Sequence, residues 1–296
     1  MPPAGDTHVR IASITKTMTA AVVVQLVQEG RVRFDDPVSA YVPDVPGGDA
    51  VAVADLLMMR SGLYGYTSDP DLAATLDTDP GTVWTGQETL AIAFRHPAEF
   101  PPGTSYDSSN TNCALLGLIV EQADGRHLAE VYRESLFGPV DLARMSLPAS
   151  TDTAVPAPYS HCDRYGGSRY AVVDSTYPPD LRTTARAGTL QPEDYTDQNP
   201  SYAWAAGGMI STADDLATWI GALVGGEVFD ADLGRRWLDS PQPTDPDEPA
   251  ATQYGTLVTL FAIYLKTPAP GAGGRSRMRA PRSPVRARRR RSVRYR

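Results

Sequence analysis

An apolar helix near the N-terminus constrains the fold of this chain more than any other feature. Met18, Val22 and Leu26 recur at helical spacing, and Gly30 stands where a helix C-cap is expected. The pattern predicts a buried helix over about Ile14–Glu29. With 296 residues, 42% of them hydrophobic, the chain can surround such a helix with a large core. We expect one large domain or two intimate ones.

Composition excludes several classes of protein. No run of eighteen apolar residues exists, which excludes a membrane-spanning helix. The two cysteines, Cys113 and Cys162, form no CxxC arrangement, which argues against a zinc site or a disulfide framework and leaves a single disulfide open. The four histidines are scattered without metal-ligand spacing, so the sequence predicts no metal site.

Charge divides the chain into an acidic body and a basic tail. Eleven of the 27 basic residues lie in 271–296, which contain no acidic residue, so the body carries −19 and the tail +11. An acidic body repels nucleic acid and anionic lipid, so any such binding falls to the tail. The tail has few aliphatic residues and dense like charge, which predicts a disordered segment.

Shorter patterns predict the remaining elements. Residues 147–200 are rich in Pro, Tyr, Asp and Thr and predict an elaborate loop layer. Tyr254–Leu265 is the best strand candidate. The further helices are predicted over Val53–Met59, Gln87–Phe94, Asn112–Gln122 and Thr212–Val224. The last of them has Ser211 or Thr212 as its N-cap.

Ser13 and Lys16 form a Ser-x-x-Lys motif at the start of the long helix. Their i, i+3 spacing places both side chains on one face. The serine's own backbone N–H is unpaired there, and the helix dipole favours a developing oxyanion. The same dipole and burial disfavour the charged form of Lys16, which allows it to act as a base. The alternative, an N-cap serine before a solvated lysine, stays open.

A loop before the Asn112 helix supplies a second candidate, Ser108-Ser109-Asn110. A Ser-x-Asn loop offers a hydroxyl for proton transfer and an amide for a substrate carbonyl. Plain Asx-turn hydrogen bonding is the alternative explanation of the same tripeptide.

Four blocks follow one another along the chain: RIASITKTMTAAVVVQLVQEGRVRFDDPVSAYVPD, LLMMRSGL, PPGTSYDSSNTNCALLGLIVEQADG and NPSYAWAAGGMISTADDLATWIGALVGG. Together they resemble the serine beta-lactamase-related family, which includes class C beta-lactamases, D-alanyl-D-alanine carboxypeptidases and related esterases. The similarity covers about residues 9–228. It looks closest to the carboxypeptidases of actinobacterial type, because of the segment NPSYAWAAGGMIST.

The resemblance implies an α/β (α+β) fold of the beta-lactamase/transpeptidase-like type. Its antiparallel sheet is built from both chain ends, is flanked by helices and carries an inserted helical domain, here about residues 46–200. The resemblance also implies that Ser13 is acylated, that Lys16 is its proton partner and that Asn110 contacts the substrate amide. The Ser13 N–H would form half of the oxyanion hole, and Tyr202 would lie beside the substrate. No metal or organic cofactor is implied.

Two site elements depart from the family pattern. Ser108 stands where the family usually has the tyrosine of Tyr-x-Asn, and a serine lacks the proton-accepting phenol, although Ser-x-Asn serves in class A beta-lactamases. We expect impaired chemistry, with Ser108 as the remaining catalytic hydroxyl.

The Lys-Thr-Gly or His-x-Gly strand of the family is replaced by Lys266-Thr267-Pro268, whose proline lacks the backbone N–H that a sheet ladder or a substrate would need. Lys266 and Thr267 are the candidate substrate-binding pair there, and a simple strand end is the alternative.

Both chain ends also differ from the family. The twelve residues before Ser13 show no basic segment followed by an apolar region, so no export signal is visible. Family members usually act outside the cytoplasmic membrane. Because this expectation conflicts with the lack of a visible export signal, the sequence assigns no location. After about residue 270 the composition changes abruptly. This change predicts a truncated domain over 1–270 with an incomplete sheet, and a tail over 271–296 translated in a shifted frame, with a low-complexity tail as the alternative.

The sequence thus predicts a serine hydrolase that forms an acyl-enzyme on amide, lactam or ester carbonyls of a small-molecule or peptide substrate. It is most like a D-alanyl-D-alanine carboxypeptidase, with impaired activity. A catalytically defective binding protein, or a non-functional truncated product, is the alternative. The motifs themselves do not separate peptidase, beta-lactamase and esterase activities, and they leave the oligomeric state open.

Overall fold

The computed structural model describes residues 4–168, 178–245, 253–256 and 258–259. Their helices are α1 (Thr15–Gln28), α2 (Val53–Leu57), α3 (Pro70–Thr78), α4 (Gly86–Ala93), α5 (Asn110–Asp124), α6 (Leu128–Tyr132), α7 (Pro179–Arg186), α8 (Trp204–Gly207), α9 (Ala213–Gly225) and α10 (Ala231–Leu238). The strands are β1 (His8–Arg10), β2 (Asp163–Arg164), β3 (Glu193–Asp194), β4 (Ile210–Thr212), β5 (Gln242–Pro243), β6 (Gln253–Gly255) and β7 (Val258–Thr259). None of these helices is long and apolar enough to cross a membrane.

Helix α1 lies in the core, as its apolar pattern predicts. It begins one residue later than expected, because a 3-10 turn over Ala12–Ile14 precedes it. Most of its residues are buried, and it packs against α5 and α8. Its buried Thr19 is satisfied by a 2.6 Å hydrogen bond to the carbonyl of Ala205 and a 2.6 Å contact with the Tyr132 hydroxyl. Burying a hydroxyl requires such partners.

Helix α5 confirms the predicted Asn112 helix and extends it at both ends. Ser109 is its N-cap and accepts a hydrogen bond from the Thr111 N–H at 3.3 Å, and Gly125 closes it with φ +82°. Left-handed backbone at a helix end favours glycine. The apolar face predicted from the sequence is fully buried, at Leu115, Leu116, Ile119 and Val120.

The strands form small antiparallel sheets. β1 pairs with β4, with Arg10 opposite Ile210 and His8 opposite Thr212. This pairing joins the chain's start to the segment before α9, and Thr212 caps α9 by accepting a hydrogen bond from the Asp215 N–H at 3.2 Å. β2 pairs with β3, and β5, β6 and β7 form a three-stranded sheet.

The single strand predicted over Tyr254–Leu265 is wrong at its start. The chain reverses direction after β6, so that Gly255 pairs with Val258 of the antiparallel β7. The Ser240 hydroxyl accepts a 2.9 Å hydrogen bond from the Thr256 N–H and holds the turn. A Cβ at Gly255 would lie 2.6 Å from that hydroxyl, so the tight approach requires glycine. The segment from Leu260 onward lies outside the described residues.

The region 147–200 is largely irregular in its described part, as expected. It contains the two-residue strands β2 and β3 and the exposed helix α7, which the sequence analysis did not predict. Arg10 fastens this layer to β1, because its Nη2 donates to the carbonyls of Thr153 at 2.8 Å and Thr196 at 3.1 Å. One side chain thus joins three segments that are far apart in the sequence.

Candidate active site

Ser13 lies in the first turn leading into α1, directly after β1. Ser13 is exposed to solvent, while Lys16, three residues later, is only 5% exposed. The preceding residue, Ala12, has φ +45°, a left-handed conformation that is strained for any residue with a Cβ. This bend carries the chain from β1 into α1 and places the serine at the N-terminal end of the helix, where negative charge is favoured.

The Lys16 amine contacts both the serine and the far wall of the site. Its Nζ lies 3.0 Å from Ser13 Oγ and donates to the carbonyl of Ala206 at 2.8 Å. Burial lowers the pKa of Lys16 below its ordinary value of 10.5. An uncharged amine has two N–H groups and one lone pair, so with Ala206 accepting from one N–H the lone pair can take the Ser13 proton. The arrangement thus allows proton transfer from the serine hydroxyl to the lysine amine.

Cys113 of α5 would raise the pKa of Lys16 if its thiol were ionised. The thiol is fully buried, which raises its pKa to about 11. It is therefore neutral near pH 7 and supplies no negative charge beside Lys16. The described part of the chain also shows no ion pair between this lysine and a carboxylate. A neutral neighbour leaves the lowered pKa in place, whereas a carboxylate would raise it.

Asn110 and Ser108 lie at and just before the N-terminus of α5. Asn110 Nδ2 donates to the Thr67 hydroxyl at 3.2 Å. Ser108 is exposed, and its nearby hydroxyl partly offsets the rise that burial gives the pKa of the Tyr106 phenol. Ser109, not Ser108, serves as the helix cap. Within the described residues, neither Ser108 nor Asn110 hydrogen-bonds to Ser13 or Lys16.

Tyr202 precedes the α8 turn that provides the Ala206 carbonyl. Its own carbonyl accepts a 2.6 Å hydrogen bond from the hydroxyl of the fully buried Tyr66. Burial raises the pKa of the Tyr202 phenol, and a hydrogen bond from Arg164 opposes that rise. The phenol is thus held on the side of the loop layer.

The structure therefore brings Ser13 and Lys16 into direct contact and places the other candidates on neighbouring segments. Lys266 and Thr267 lie outside the described residues. No cluster of His, Cys, Asp and Glu within those residues could hold a metal ion.

Two contributors to the site escaped the sequence analysis. The Ala206 carbonyl is a backbone group, and only the close approach of α8 to α1 reveals it. Gly208 permits the tight turn of α8 itself, because a Cβ there would lie 2.9 Å from the Trp204 carbonyl oxygen, and a Cβ on Gly207 would lie 3.5 Å from the Ala12 backbone that leads into α1. Cys113 had a usable signal, since it lies three residues after Asn110 on a helix predicted to be buried.

Comparison with known proteins places these observations in a family. The Beta-lactamase family model matches residues 1–273. A "D-aminopeptidase" of Brucella anthropi is 31% identical over 163 residues, covering 55% of this chain and 29% of that protein. A "Putative D-alanyl-D-alanine carboxypeptidase" of Escherichia coli K12 is 25% identical over 232 residues, covering 73% of this chain and 50% of that protein. The chain thus spans half or less of the length of these two relatives.

Among solved structures, a D-stereospecific amidohydrolase from Streptomyces superposes with a TM-score of 0.75 at 30% identity, covering 86% of this chain and 72% of that one. The matches confirm the resemblance indicated by the four sequence blocks. They also confirm the beta-lactamase/transpeptidase-like fold, in which helices accompany small antiparallel sheets.

Proposed function

Because this chain belongs to the Beta-lactamase family, a family of serine hydrolases, we propose that it hydrolyses amide bonds beside D-amino acid residues through an acyl-enzyme on Ser13. The contact that carries the proposal is the 3.0 Å approach of the buried Lys16 amine to the exposed Ser13 hydroxyl. A hydroxyl is a weak nucleophile unless a base within hydrogen-bonding distance removes its proton.

In the proposed mechanism, uncharged Lys16 accepts the Ser13 proton while Oγ attacks the substrate carbonyl. The backbone N–H of Ser13 stabilises the resulting oxyanion together with the positive end of α1. The tetrahedral intermediate collapses as the C–N bond breaks, and Lys16 returns its proton to the departing amine. A water molecule then attacks the ester and restores Ser13, again with Lys16 as the base.

The other candidate residues have substrate-binding roles in this proposal. Asn110 offers its side-chain amide to the substrate, and Tyr202 lies beside it. Lys266 and Thr267 would complete the site as the third element. Ser108 would relay a proton in the manner of a Ser-x-Asn element, or leave the chemistry impaired where the family has tyrosine.

The substrate class rests on the relatives. The names of the Brucella protein and the Streptomyces structure refer to D-amino acids and D-stereospecific amides, and that of the Escherichia coli protein to a D-alanyl-D-alanine peptide. A carbonyl bonded to nitrogen beside a D-residue is common to all three. We place the present chain in this class, with D-alanyl-D-alanine peptides and D-amino acid amides as the two forms to be compared.

Covalent labelling tests the acyl-enzyme. The protein is incubated with a fluorescent penicillin and its intact mass is measured. We expect one adduct in the wild-type protein and none in Ser13→Ala. Ser68→Ala is a matched control, because Ser68 is also an exposed serine in a 3-10 turn. An adduct that persists in Ser13→Ala would refute Ser13 as the nucleophile.

Hydrolysis assays then test the substrate. D-alanine and D-phenylalanine amides, their L-enantiomers and a diacetyl-L-lysyl-D-alanyl-D-alanine peptide are compared. We expect turnover only where a D-residue flanks the cleaved bond. Equal rates on L- and D-amides would contradict the proposed class.

A binding protein without turnover is the second candidate, and the position of Ser108 favours it. Ser108 stands where the family usually has the tyrosine, and no hydrogen bond joins its hydroxyl to Lys16 in the described structure, where the amine contacts Ser13 and Ala206. In that case the penicillin adduct would form on Ser13 while none of the D-amino acid amides or peptides is turned over, whereas an active hydrolase would show both the adduct and turnover.

A further inference from the structure

Tyr66 is a fully buried tyrosine to which the proposed mechanism gives no role. It begins a 3-10 turn, Tyr66–Ser68, which packs against α3, α4 and α5. Its hydroxyl donates the 2.6 Å hydrogen bond to the carbonyl of Tyr202. Burial raises the pKa of the Tyr66 phenol well above its ordinary value of 10.0. The hydroxyl therefore keeps its proton near pH 7 and remains a donor.

The backbone of Tyr66 is fixed to the N-terminus of α5. Its N–H donates to the Thr111 hydroxyl at 3.1 Å, and that hydroxyl donates to the Tyr64 carbonyl at 2.6 Å. Thr67, the next residue of the turn, accepts the hydrogen bond from Asn110. Tyr66 thus reaches from the first turn of α5, where the candidate amide lies, to the segment that leads into α8.

That segment is strained at Trp204, the first residue of α8. Trp204 has φ +28°, a left-handed conformation that is unfavourable for a residue with a Cβ. Strain of this kind persists only where the surroundings impose it. Two residues earlier the Tyr202 carbonyl accepts from Tyr66, and two residues later the Ala206 carbonyl accepts from Lys16. The donor to Tyr202 therefore helps to determine where the Ala206 carbonyl lies.

We propose that Tyr66 is a positioning residue, which fixes the carbonyl acceptor of Lys16 through its hydrogen bond to the Tyr202 carbonyl. This role rests on the proposed function, in which Lys16 is the base for Ser13. In the described structure Tyr66 hydrogen-bonds to neither of them, so it acts through the backbone of residues 202–206. Without the hydroxyl, the strained segment can relax and the Lys16 amine loses its fixed acceptor. A displaced base transfers the proton more slowly.

Acylation kinetics test this role in Tyr66→Phe, which removes only the hydroxyl. The rate of penicillin adduct formation on Ser13 is measured against penicillin concentration. We expect the limiting rate to fall about tenfold, because a displacement of about 1 Å can cost about a hundredfold and the loss of one hydrogen bond should move the segment by less. The half-saturating concentration and the final amount of adduct should stay unchanged. A merely structural role would instead reduce the amount of folded protein, and with it the amount of adduct.

Tyr41→Phe is the matched control, because it also removes a 2.6 Å hydrogen bond from a tyrosine hydroxyl, here to the Asp36 carboxylate. It should be acylated at the wild-type rate. At position 66, para-aminophenylalanine retains a donor and should restore most of the rate. In contrast, para-fluorophenylalanine fills the same space without donating and should leave the rate low. The fluorinated variant decides if circular dichroism shows that Tyr66→Phe does not fold.

Nuclear magnetic resonance follows Lys16 without any assay of activity. Lys16 and Lys266 are the only lysines in the sequence, so isotopic labelling of lysine gives two ε-carbon signals, which Lys16→Met assigns. We expect Tyr66→Phe to shift the Lys16 signal, because the amine loses its fixed acceptor, and Tyr41→Phe to leave that signal unchanged.

The two measurements separate the positioning role from the proposed function. If the wild-type protein is acylated, the proposal is overturned by an unchanged limiting rate in Tyr66→Phe, by loss of adduct without loss of rate, by equal slowing in Tyr41→Phe, or by a para-amino variant no faster than the fluorinated one. If the wild-type protein is not acylated, the proposed function fails and the Lys16 signal alone decides. Identical Lys16 signals in wild type and Tyr66→Phe would then refute the positioning role.

Discussion

At the scale of single residues, Lys16 determines what the site can do. Burial lowers its pKa, its amine donates to the Ala206 carbonyl, and the same amine lies 3.0 Å from Ser13 Oγ. Ala12 before the serine is strained at φ +45°. Strain of this kind persists only where the surrounding structure imposes it, and here the pairing of β1 with β4 does so.

The lowered pKa of Lys16 predicts how acylation depends on pH. Only the uncharged amine accepts a proton, so the acylation rate should rise with pH along an acid limb whose midpoint lies below 10.5. Lys16→Arg should abolish the activity, because guanidinium stays protonated. Stopped-flow acylation at a series of pH values measures this. A midpoint at or above 10.5 would contradict the buried amine.

The pH dependence of the free energy of unfolding gives an independent check on the lowered pKa of Lys16. The folded protein binds fewer protons at Lys16 than the unfolded chain between the lowered pKa and 10.5, so the free energy of unfolding gains a contribution that rises with pH in this window. Lys16→Met should remove that contribution in urea unfolding. Identical pH slopes in variant and wild type would count against the shift.

The hydroxyl of Ser108 can be tested against the phenol that the family carries. Ser108→Tyr should raise the acylation rate more than about tenfold, the low end of general-base contributions. Ser108→Phe adds the same ring without the oxygen and should not raise the acylation rate. Ser108→Ala shows whether the serine hydroxyl already contributes to proton transfer, because its loss would then lower that rate. An unchanged or lower rate in Ser108→Tyr would show that Ser108 acts in the Ser-x-Asn manner.

At the scale of elements, the close packing of α5 against α8 positions the Ala206 carbonyl. Gly117 of α5 makes this possible, because a Cβ there would lie 2.8 Å from the Ala205 Cβ and from atoms of the Trp204 ring. A side chain at Gly117 should displace α8, and with it the Ala206 carbonyl that accepts the hydrogen bond from Lys16.

Gly117→Ala should therefore lower the free energy of unfolding by about 1–3 kcal/mol, the usual cost of overpacking, and slow acylation as well. Gly221→Ala is the matched control, since Gly221 lies in α9 and a methyl group on its Cα would have nothing within 4 Å. It should stabilise the protein by about 0.5–1 kcal/mol through helix propensity. Chemical denaturation of both variants checks the pair, and equal stability would contradict the packing argument.

At the scale of the whole molecule, the charges divide into a −19 body and a +11 tail. The proposed division into a domain over 1–270 and a tail over 271–296 stays a prediction. Ordering each residue costs about 1–2 kcal/mol, and the tail sequence offers little apolar area to offset it. Screened attraction to the acidic body adds little at physiological salt.

Deleting residues 271–296 should accordingly leave the melting temperature nearly unchanged and remove the sites of earliest proteolysis. Differential scanning fluorimetry and limited trypsin digestion of both forms measure this. A fall of many degrees on deletion would show that the tail belongs to the domain.

The sequence by itself determined the three longest helices and the contact between Ser13 and Lys16, whereas the helices α3, α6, α7, α8 and α10 were not predicted from it. α1, α5 and α9 follow from apolar spacing, with an end signal at Thr212 that acts over a few residues. The Ser13–Lys16 contact follows for the same reason, because an i, i+3 spacing brings two side chains together in any helix. Boundaries shifted by only one or two residues, as at the start of α1.

The tertiary structure alone decided what surrounds that pair. Lys16 meets the carbonyl of a residue 190 positions away, and Arg10 joins Thr153 to Thr196. The reversal at Gly255 likewise depends on Ser240. Such contacts join segments whose encounter depends on how all the helices pack, and no local pattern encodes a backbone carbonyl. The sequence therefore brings Ser13 and Lys16 together, and packing decides the burial that lowers the pKa of the lysine.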